Sequence, residues 1–163
     1  MSPVIIRPAR EADSAHIAQA IVELQEFERR LHDSRLPGEA IAAPYFAWLQ
    51  RQIAEKSGAM LVAESAGGFV GFLACWIERD DYIPLTPAAQ VFGYVADVCI
   101  LPPWRGQDIA GRLLAAAERH LADAGARHVL VGALAANDSA LAAYRKRGFT
   151  PYTVMLEKRL NHP

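Results

Sequence analysis

The chain has 163 residues, of which 52% are apolar, and it carries 17 basic and 18 acidic side chains for a net charge of −1. This composition predicts one packed domain, residues 1–163, rather than a disordered segment. The balanced charge provides neither the basic field that attracts nucleic acid nor a polybasic arm for a membrane, so we expect neither as a partner.

The first half of the sequence predicts a strand, two helices and a hairpin, from the spacing of apolar residues and the positions of caps and turns. The predicted elements are a strand at 4–9, a helix after Asp13, a helix with Pro44 at its first position, and strands at 59–65 and 69–79. A loop is expected at 31–38, between the two helices. A proline-containing loop is expected at 80–89.

The second half alternates strands and helices. The predicted elements are a central strand at 91–101, a helix at 108–124, a strand at 128–134, a helix at 138–147 and a closing strand at 150–160. The central strand is apolar on both faces, as is typical of a strand covered by helices on two sides. The element order β-α-α-β-β-β-α-β-α-β predicts an α/β fold with a mixed sheet.

The stretch "PPWRGQDIAGRLL" (102–114) joins the central strand to the next helix. The first N–H groups of a helix lack partners within it, so a strand that enters a helix through small residues can form an anion site. Gly111 in the first turn costs about 1 kcal/mol relative to alanine, which predicts that a ligand or a neighbouring strand approaches there. Arg105 and Arg112 flank the turn and could clamp phosphate oxygens.

Taken alone, this turn is also typical of an ordinary strand–helix connection, and it matches neither the P-loop nor the dinucleotide-binding fingerprint. Read with the residues that follow it, the stretch resembles the GNAT superfamily of N-acetyltransferases. That family has the motif [R/Q]-x-x-G-x-[G/A] at a strand–helix turn, then an Asn, then a Tyr within a "Y-x-[K/R]-x-G-F" segment. The matching residues here are Arg105, Asp108, Ala110, Asn137 and the run Tyr144-Arg145-Lys146-Arg147-Gly148-Phe149.

The resemblance covers residues 91–152 closely and the whole chain loosely. It implies a mixed, mostly antiparallel sheet flanked by helices, acetyl-CoA as the acetyl donor and an amine as the acceptor. The pantetheine arm would run along the strand that contains Val98 and Ile100, and Asn137 would also contact the cofactor. The pyrophosphate would lie on the N–H groups of the turn, formed by Gly106, Gln107, Asp108, Ile109, Ala110 and Gly111, beside Arg105.

Asp108 departs from the family pattern, which usually has glycine at this position. The side chain adds a Cβ where backbone approach is needed, and it adds a negative charge near the pyrophosphate. Asp nevertheless tolerates turn conformations and favours helix N-termini. We therefore expect weakened rather than abolished CoA binding.

Acetyl transfer from a thioester to an amine needs positioning, an oxyanion stabiliser, a proton for the departing thiolate and a neutral amine. The resemblance places Tyr144 as the acid, and a backbone N–H on the 98–100 strand would stabilise the oxyanion. Asp97 is the acidic residue inside the apolar central strand and the candidate base, with structural anchoring and substrate contact both open. The amine proton is expected to pass through water to Asp97 or Glu78.

The acceptor is expected to be a primary amine of a small molecule or a protein. Asp80, Asp81 and Tyr82 could receive a cationic amine, although an ordinary solvated loop explains them equally simply. Three acidic residues of the first helix are expected to form a solvated face: Glu23, Glu26 and Glu28.

Two other functions stay open at this point. One is a non-catalytic CoA-binding or effector-sensing module with the same fold, which Asp108 favours. The other is a covalent route through Cys99, which its apolar surroundings disfavour.

The remaining expectations concern location and assembly. The chain lacks a predicted signal peptide, and its longest near-apolar stretch, 67–77, is too short to cross a bilayer, so the cytoplasm is the expected compartment. Cys75 and Cys99 are expected to be buried and reduced. The five histidines show no metal-ligand spacing, so no metal is expected. A homodimer that involves the closing strand is also an expectation.

Overall fold

The computed structural model describes residues 3–160. Its helices and strands, in chain order, are β1 (Ile5–Pro8), α1 (Ser14–Leu31), α2 (Gly38–Glu55), β2 (Ala59–Ser65), β3 (Gly68–Arg79), β4 (Val91–Ile100), α3 (Ile109–Asp123), β5 (Val129–Val131) and α4 (Asp138–Lys146). Short 3₁₀ turns at Glu11–Asp13 and Pro102–Trp104 lead into α1 and follow β4.

The five strands form a single sheet in the order β1-β2-β3-β4-β5. The first four strands are antiparallel to their neighbours, and β5 runs parallel to β4. The prediction of a mixed, mostly antiparallel sheet flanked by helices is confirmed. The hairpin of β2 and β3 turns at the predicted glycines, since Gly68 adopts φ +113°.

Helices cover both faces of this sheet, and the sheet separates the apolar core into two halves. The face toward α3 holds Leu73, Val95 and Leu113, while the face toward α1 and α2 holds Phe72 and Trp76. Each of these five side chains is at most 1% exposed. The two-sided apolar pattern of the central strand therefore reflects helices packed on both faces.

Helix α2 begins at Gly38, so the prediction that Pro44 is its first residue is wrong. The Glu26 carboxylate accepts a hydrogen bond from the Gly38 N–H at 2.7 Å. It thereby satisfies one of the N–H groups that have no partner within the helix at the N-terminus of α2. Pro44 then lies inside the helix, where it cannot donate to the carbonyl of Ala40. Ala40 is exposed, so water can hydrate that carbonyl.

The predicted closing strand at 150–160 is also wrong, because these residues pair with no strand of the described chain. Their side chains bond instead to the loop between α1 and α2, through Glu157 to His32 at 2.9 Å and through Arg159 to Asp33. A strand needs a partner edge as well as a suitable pattern, and the edge strand β5 of the sheet is only three residues long.

Candidate active site

Strands β4 and β5 separate from each other partway along the sheet. Their pairing runs from Gly93 and Val129 to Val95 and Val131 and ends there. Beyond that point β4 continues to Ile100, while the chain after β5 moves away toward α4. The separation leaves backbone of β4 without a neighbour on that side and opens a gap in the sheet.

A cavity of about 410 Å³ lies in this gap, and we call it the inter-strand cavity. Nine of the ten residues predicted to bind the cofactor line it: Val98, Ile100, Arg105, Gly106, Asp108, Ile109, Ala110, Gly111 and Asn137. The tenth, Gln107, is exposed outside the cavity, and its amide donates weakly to the Pro103 carbonyl at 3.5 Å. At Gly106, with φ +78°, a Cβ would meet no atom within 4 Å, so the backbone is open to a ligand.

The approach observed at Gly111 comes from a side chain of the same turn, the Asp108 carboxylate. A Cβ at position 111 would lie 2.5 Å from Asp108 Oδ1. Asp108 itself adopts the left-handed conformation, with φ 57° and ψ 20°, immediately before the first residue of α3. The departure from the family pattern therefore places a carboxylate against the first turn of the helix.

The two arginines that flank the turn have different surroundings. Arg105 lines the cavity, donates from Nε to the Ile100 carbonyl at 2.9 Å, and lies over the ring of Phe27. Arg112 donates to the Val4 carbonyl at 2.7 Å and does not line the cavity, so its proposed role as a phosphate clamp is not supported. Lys146, which the sequence interpretation did not assign, supplies a second cation to the lining.

Helix α4 brings Asn137 and Tyr144 to the same cavity. The Asn137 side chain accepts a hydrogen bond from the Ala140 N–H at 3.1 Å, so it caps the helix as well as facing the cavity. Burial, together with the negative charge of Asp97, raises the pKa of Tyr144 to about 12. This phenol therefore keeps its proton more firmly than the free side chain, whose pKa is about 10.

A β-bulge in β4 determines where Asp97 points. Cys75 pairs with Val95 and Ala74 pairs with Asp97, so Ala96 is an extra residue on β4. One extra residue moves every later side chain to the opposite face of the sheet. Asp97 thus shares the face of Ala74, toward α1 and α2, instead of the face of Val95 toward α3. This bulge was not predicted from the sequence.

Asp97 lines a second cavity, of about 530 Å³, which we call the α1–α2 cavity. Its walls come from α1, the loop after it, α2, β4 and residues 132–134. The Tyr45 hydroxyl donates to Asp97 Oδ2 at 2.8 Å. Burial raises the pKa of Asp97 to about 6, and the Tyr45 hydrogen bond opposes part of that rise. The carboxylate is therefore poised to change protonation near neutral pH.

The two cavities meet at α1. Leu24 lines both of them. Asp97 belongs to one cavity and Tyr144 to the other, yet the charge of Asp97 affects the pKa of Tyr144. Asp97 and Tyr144 therefore line adjoining cavities and are close enough for their charges to interact.

Other predicted acidic groups lie elsewhere. Glu78 accepts hydrogen bonds from Lys56 at 2.8 Å and from the Trp76 indole at 3.0 Å, and it lines neither cavity. Burial acts to raise the pKa of Glu78, but these hydrogen bonds outweigh it and the net shift is downward. Glu78 is therefore a structural acceptor, and the prediction that it relays the amine proton is not supported.

Two expectations about the acceptor side also change. Glu28 lines the α1–α2 cavity instead of lying on a solvated face. The walls of that cavity, within residues 3–160, include none of residues 80–90, so the loop with Asp80 and Asp81 does not form its mouth. Asp80 instead accepts the Tyr82 backbone N–H at 2.9 Å in a local turn.

Cys99 is a poor candidate for a nucleophile. Burial raises the pKa of its thiol to about 12, even though the charge of Arg105 partly opposes this. The sulfur donates to the Ala20 carbonyl at 3.4 Å and is held against α1. Cys75 is buried as well, and both thiols are free.

Residues 3–160 contain no cluster of three His, Cys, Asp or Glu side chains arranged to hold a metal ion. None of the helices in this part of the chain combines the length and the apolarity that a membrane crossing needs.

Comparison with known proteins independently supports the resemblance to N-acetyltransferases. The model of the acetyltransferase (GNAT) family matches residues 19–149. A thialysine N-epsilon-acetyltransferase of Mus musculus is 28% identical over 124 residues, which are 70% of this chain and 65% of the mouse protein. An uncharacterised N-acetyltransferase of Bacillus subtilis, YhfO, is 27% identical over 159 residues, or 97% of each chain.

A solved structure shows the same fold. The aminoglycoside N-acetyltransferase AAC(6')-Iy, crystallised in complex with CoA, superposes with a TM-score of 0.72 at 19% identity, over 98% of this chain and 96% of the other. The inter-strand cavity fits a CoA group, because it combines open backbone at Gly106, the N-terminus of α3 and two cations. The chain belongs to the acetyltransferase (GNAT) family, the N-acetyltransferases that take their acetyl group from acetyl-CoA.

Proposed function

We propose that this protein transfers an acetyl group from acetyl-CoA, held in the inter-strand cavity, directly to a primary amine in the α1–α2 cavity. The observation that carries the proposal is that two cavities, one lined by Tyr144 and the other by Asp97, share Leu24 in their walls. In this reaction the amine nitrogen forms a bond to the acetyl carbon and loses a proton, while the C–S bond breaks and the sulfur gains one.

The donor is proposed to be held by backbone more than by side chains. The unpaired side of β4 at Val98 and Ile100 offers groups to the pantetheine arm, and the turn at 106–111 offers N–H groups to the pyrophosphate. Arg105 and Lys146 add positive charge at the same cavity. Acetyl-CoA supplies an activated thioester. A backbone N–H of residues 98–100 would stabilise negative charge on its carbonyl oxygen.

Tyr144 is proposed as the acid that protonates the leaving sulfur. Its raised pKa keeps the phenol protonated throughout the neutral range. A phenol of pKa about 12 is a weaker acid than a typical thiol, with pKa about 8.5, so full proton transfer to the thiolate is uphill. The phenol would therefore first stabilise the developing negative charge on sulfur through a hydrogen bond, and the proton that the thiol finally carries is replaced on Tyr144 from solvent.

Asp97 is proposed as the base that takes the proton of the amine, directly or through water. With a pKa of about 6 it is largely ionised at pH 7 and can still accept a proton. The Tyr45 hydrogen bond fixes the orientation of the carboxylate.

The acceptor is proposed to be a small-molecule amine. One of the relatives is an acetyltransferase of thialysine, a small-molecule amine. A cavity of about 530 Å³ also falls within the size range of small-ligand sites.

Release of free CoA from acetyl-CoA in the presence of a panel of primary amines tests this function. We expect turnover by the wild type and a loss of about 100-fold in kcat for Tyr144→Phe, the usual contribution of one acid or base. Tyr152→Phe is the matched control, because Tyr152 is exposed and lines neither cavity. If no amine in the panel is acetylated while acetyl-CoA still binds, a CoA-binding module without turnover replaces the enzyme.

We also propose that two copies associate through residues 150–160. Val154, Met155 and Leu156 are 74%, 93% and 88% exposed, an unusual run for a protein surface. Light scattering after size exclusion should give the mass of a dimer for the wild type and of a monomer for Met155→Glu. A monomeric wild type would contradict this proposal.

A further inference from the structure

Helix α1 supplies part of the wall of the inter-strand cavity, although no residue of this helix was predicted to bind the donor. Leu24 lines both cavities, Glu28 lines the α1–α2 cavity, and Phe27 lines the inter-strand cavity. Phe27 is partly buried, so one side of its ring is covered by the protein. The aromatic ring therefore borders the space that we propose holds acetyl-CoA.

The guanidinium of Arg105 lies over this ring. Its Cζ atom is 5.9 Å from the centroid of the Phe27 ring, within the range of a cation–π interaction. Arg105 Nε also donates to the Ile100 carbonyl at 2.9 Å. The guanidinium is thus supported at two points, by the aromatic ring and by the last carbonyl of β4.

These two supports leave most of the hydrogen-bond donors of Arg105 for a ligand. A guanidinium carries five N–H donors, and only Nε–H is bonded to Ile100. The four N–H groups on the terminal nitrogens have no acceptor among residues 3–160. Because Arg105 lines the inter-strand cavity, these donors can serve an anion bound there.

A second arginine lies over the same ring but outside the cavities. The Cζ atom of Arg30 is 5.7 Å from the centroid of Phe27, and Arg30 lines neither cavity. Arg30 therefore shares the ring with Arg105 without facing the proposed donor. It provides a matched control for the charge of Arg105.

We infer that Phe27 is a positioning residue for the donor and holds Arg105 where its terminal N–H groups meet the pyrophosphate of acetyl-CoA. This inference rests on the proposed function and adds a residue of α1 to the donor site. Arginine binds phosphate oxygens through paired, directional hydrogen bonds. A guanidinium that is held in place before the anion arrives loses less side-chain entropy on binding, so its support strengthens affinity.

Titration calorimetry with CoA tests the role of the ring. Phe27→Leu keeps an apolar side chain in the wall but removes the aromatic ring, and it should raise the Kd for CoA about two- to fivefold, the usual worth of an accessible cation–π contact. Phe27→Tyr retains the ring and should bind CoA as tightly as the wild type. Arg30→Gln should do the same, because this exposed cation lies outside the cavity.

A double variant separates positioning from a merely structural role. Arg105→Gln should weaken CoA binding about tenfold or more, since it removes charged hydrogen bonds to the pyrophosphate. Phe27→Leu should cause no further loss in the Arg105→Gln background, because the ring acts through Arg105. Additive losses would overturn the inference, as would a loss in Phe27→Tyr equal to that in Phe27→Leu.

Steady-state kinetics gives a second readout. Phe27→Leu should raise KM for acetyl-CoA and leave kcat nearly unchanged, since the ring supports binding of the donor and not the transfer step. A fall in kcat at unchanged KM would contradict the positioning role. CoA binding by the wild type without acetylation of any amine would contradict the proposed function, while the Kd values would still decide the role of Phe27. Absence of CoA binding by the wild type would refute both.

Discussion

Asp108 provides a sensitive test of how the anion is held. Its carboxylate covers Gly111 in the first turn of α3, beside the N–H groups that we propose bind the pyrophosphate. Replacing it with Asn preserves the size of the side chain and its tolerance of the left-handed conformation at φ 57°, but removes the charge. The substitution therefore isolates the electrostatic effect of this carboxylate on CoA binding.

The expected magnitude follows from Coulomb's law. Two unit charges about 4 Å apart in a water-like medium repel by about 1 kcal/mol. A watery dielectric is appropriate because Asp108 is exposed. Removing this repulsion should tighten the Kd for CoA about fivefold, and the gain should shrink as salt is raised.

Titration calorimetry with CoA at low and at high salt measures this effect. Asp123→Asn, at the far end of the same helix and away from the inter-strand cavity, is the control and should leave Kd unchanged. Asp108→Gly should bind at least as tightly as Asp108→Asn, since it also removes the Cβ from the turn. An unchanged Kd for Asp108→Asn at low salt would rule out this repulsion, because the carboxylate would then not face the bound anion.

Two further predictions concern pH. Asp97, as a base of pKa about 6, is active when deprotonated, so the rate should fall as pH decreases through about 6. Asp97→Asn should lower the rate and remove this pH dependence. A pH–rate profile with the same acidic limb in the variant would exclude Asp97 as the base. The hydrogen bond from Arg7 is the main cause that lowers the pKa of Asp13 from 3.8 to about 2. This shift corresponds to about 2 kcal/mol of stability, which is present above pH 4 and lost as pH falls toward 2. Urea unfolding should therefore show Asp13→Asn less stable than the wild type by about this amount at pH 7 and little different at pH 2; a constant difference would contradict the linkage.

The sequence predicts most of the fold because its strands and helices carry clear periodic patterns. The exceptions arise from tertiary contacts that no local pattern reveals. Helix α2 starts early because a carboxylate on another helix, Glu26, caps it. Residues 150–160 have a strand-like pattern, but they make side-chain contacts with the α1–α2 loop and no strand pairing.

Some residues of the candidate site could be predicted from the sequence, and others depend on tertiary structure. The turn at 102–114 and the positions of Asn137 and Tyr144 follow from motif spacing, because those residues belong to consecutive elements. The direction of Asp97 depends on a bulge at Ala96, and an apolar run gives no sign of one extra residue. Glu28 has the sequence pattern of a solvated helix residue, and it lines a cavity only because α2 and the loop around Arg35 pack beside it.

Hydrogen–deuterium exchange with and without saturating CoA tests most directly whether the gap between β4 and β5 is the donor site. Slower exchange is expected at residues 98–100 and 106–111 and in the first turn of α4, with β1 and β2 unchanged. Protection elsewhere, or no protection at these amides when CoA is bound, would contradict it.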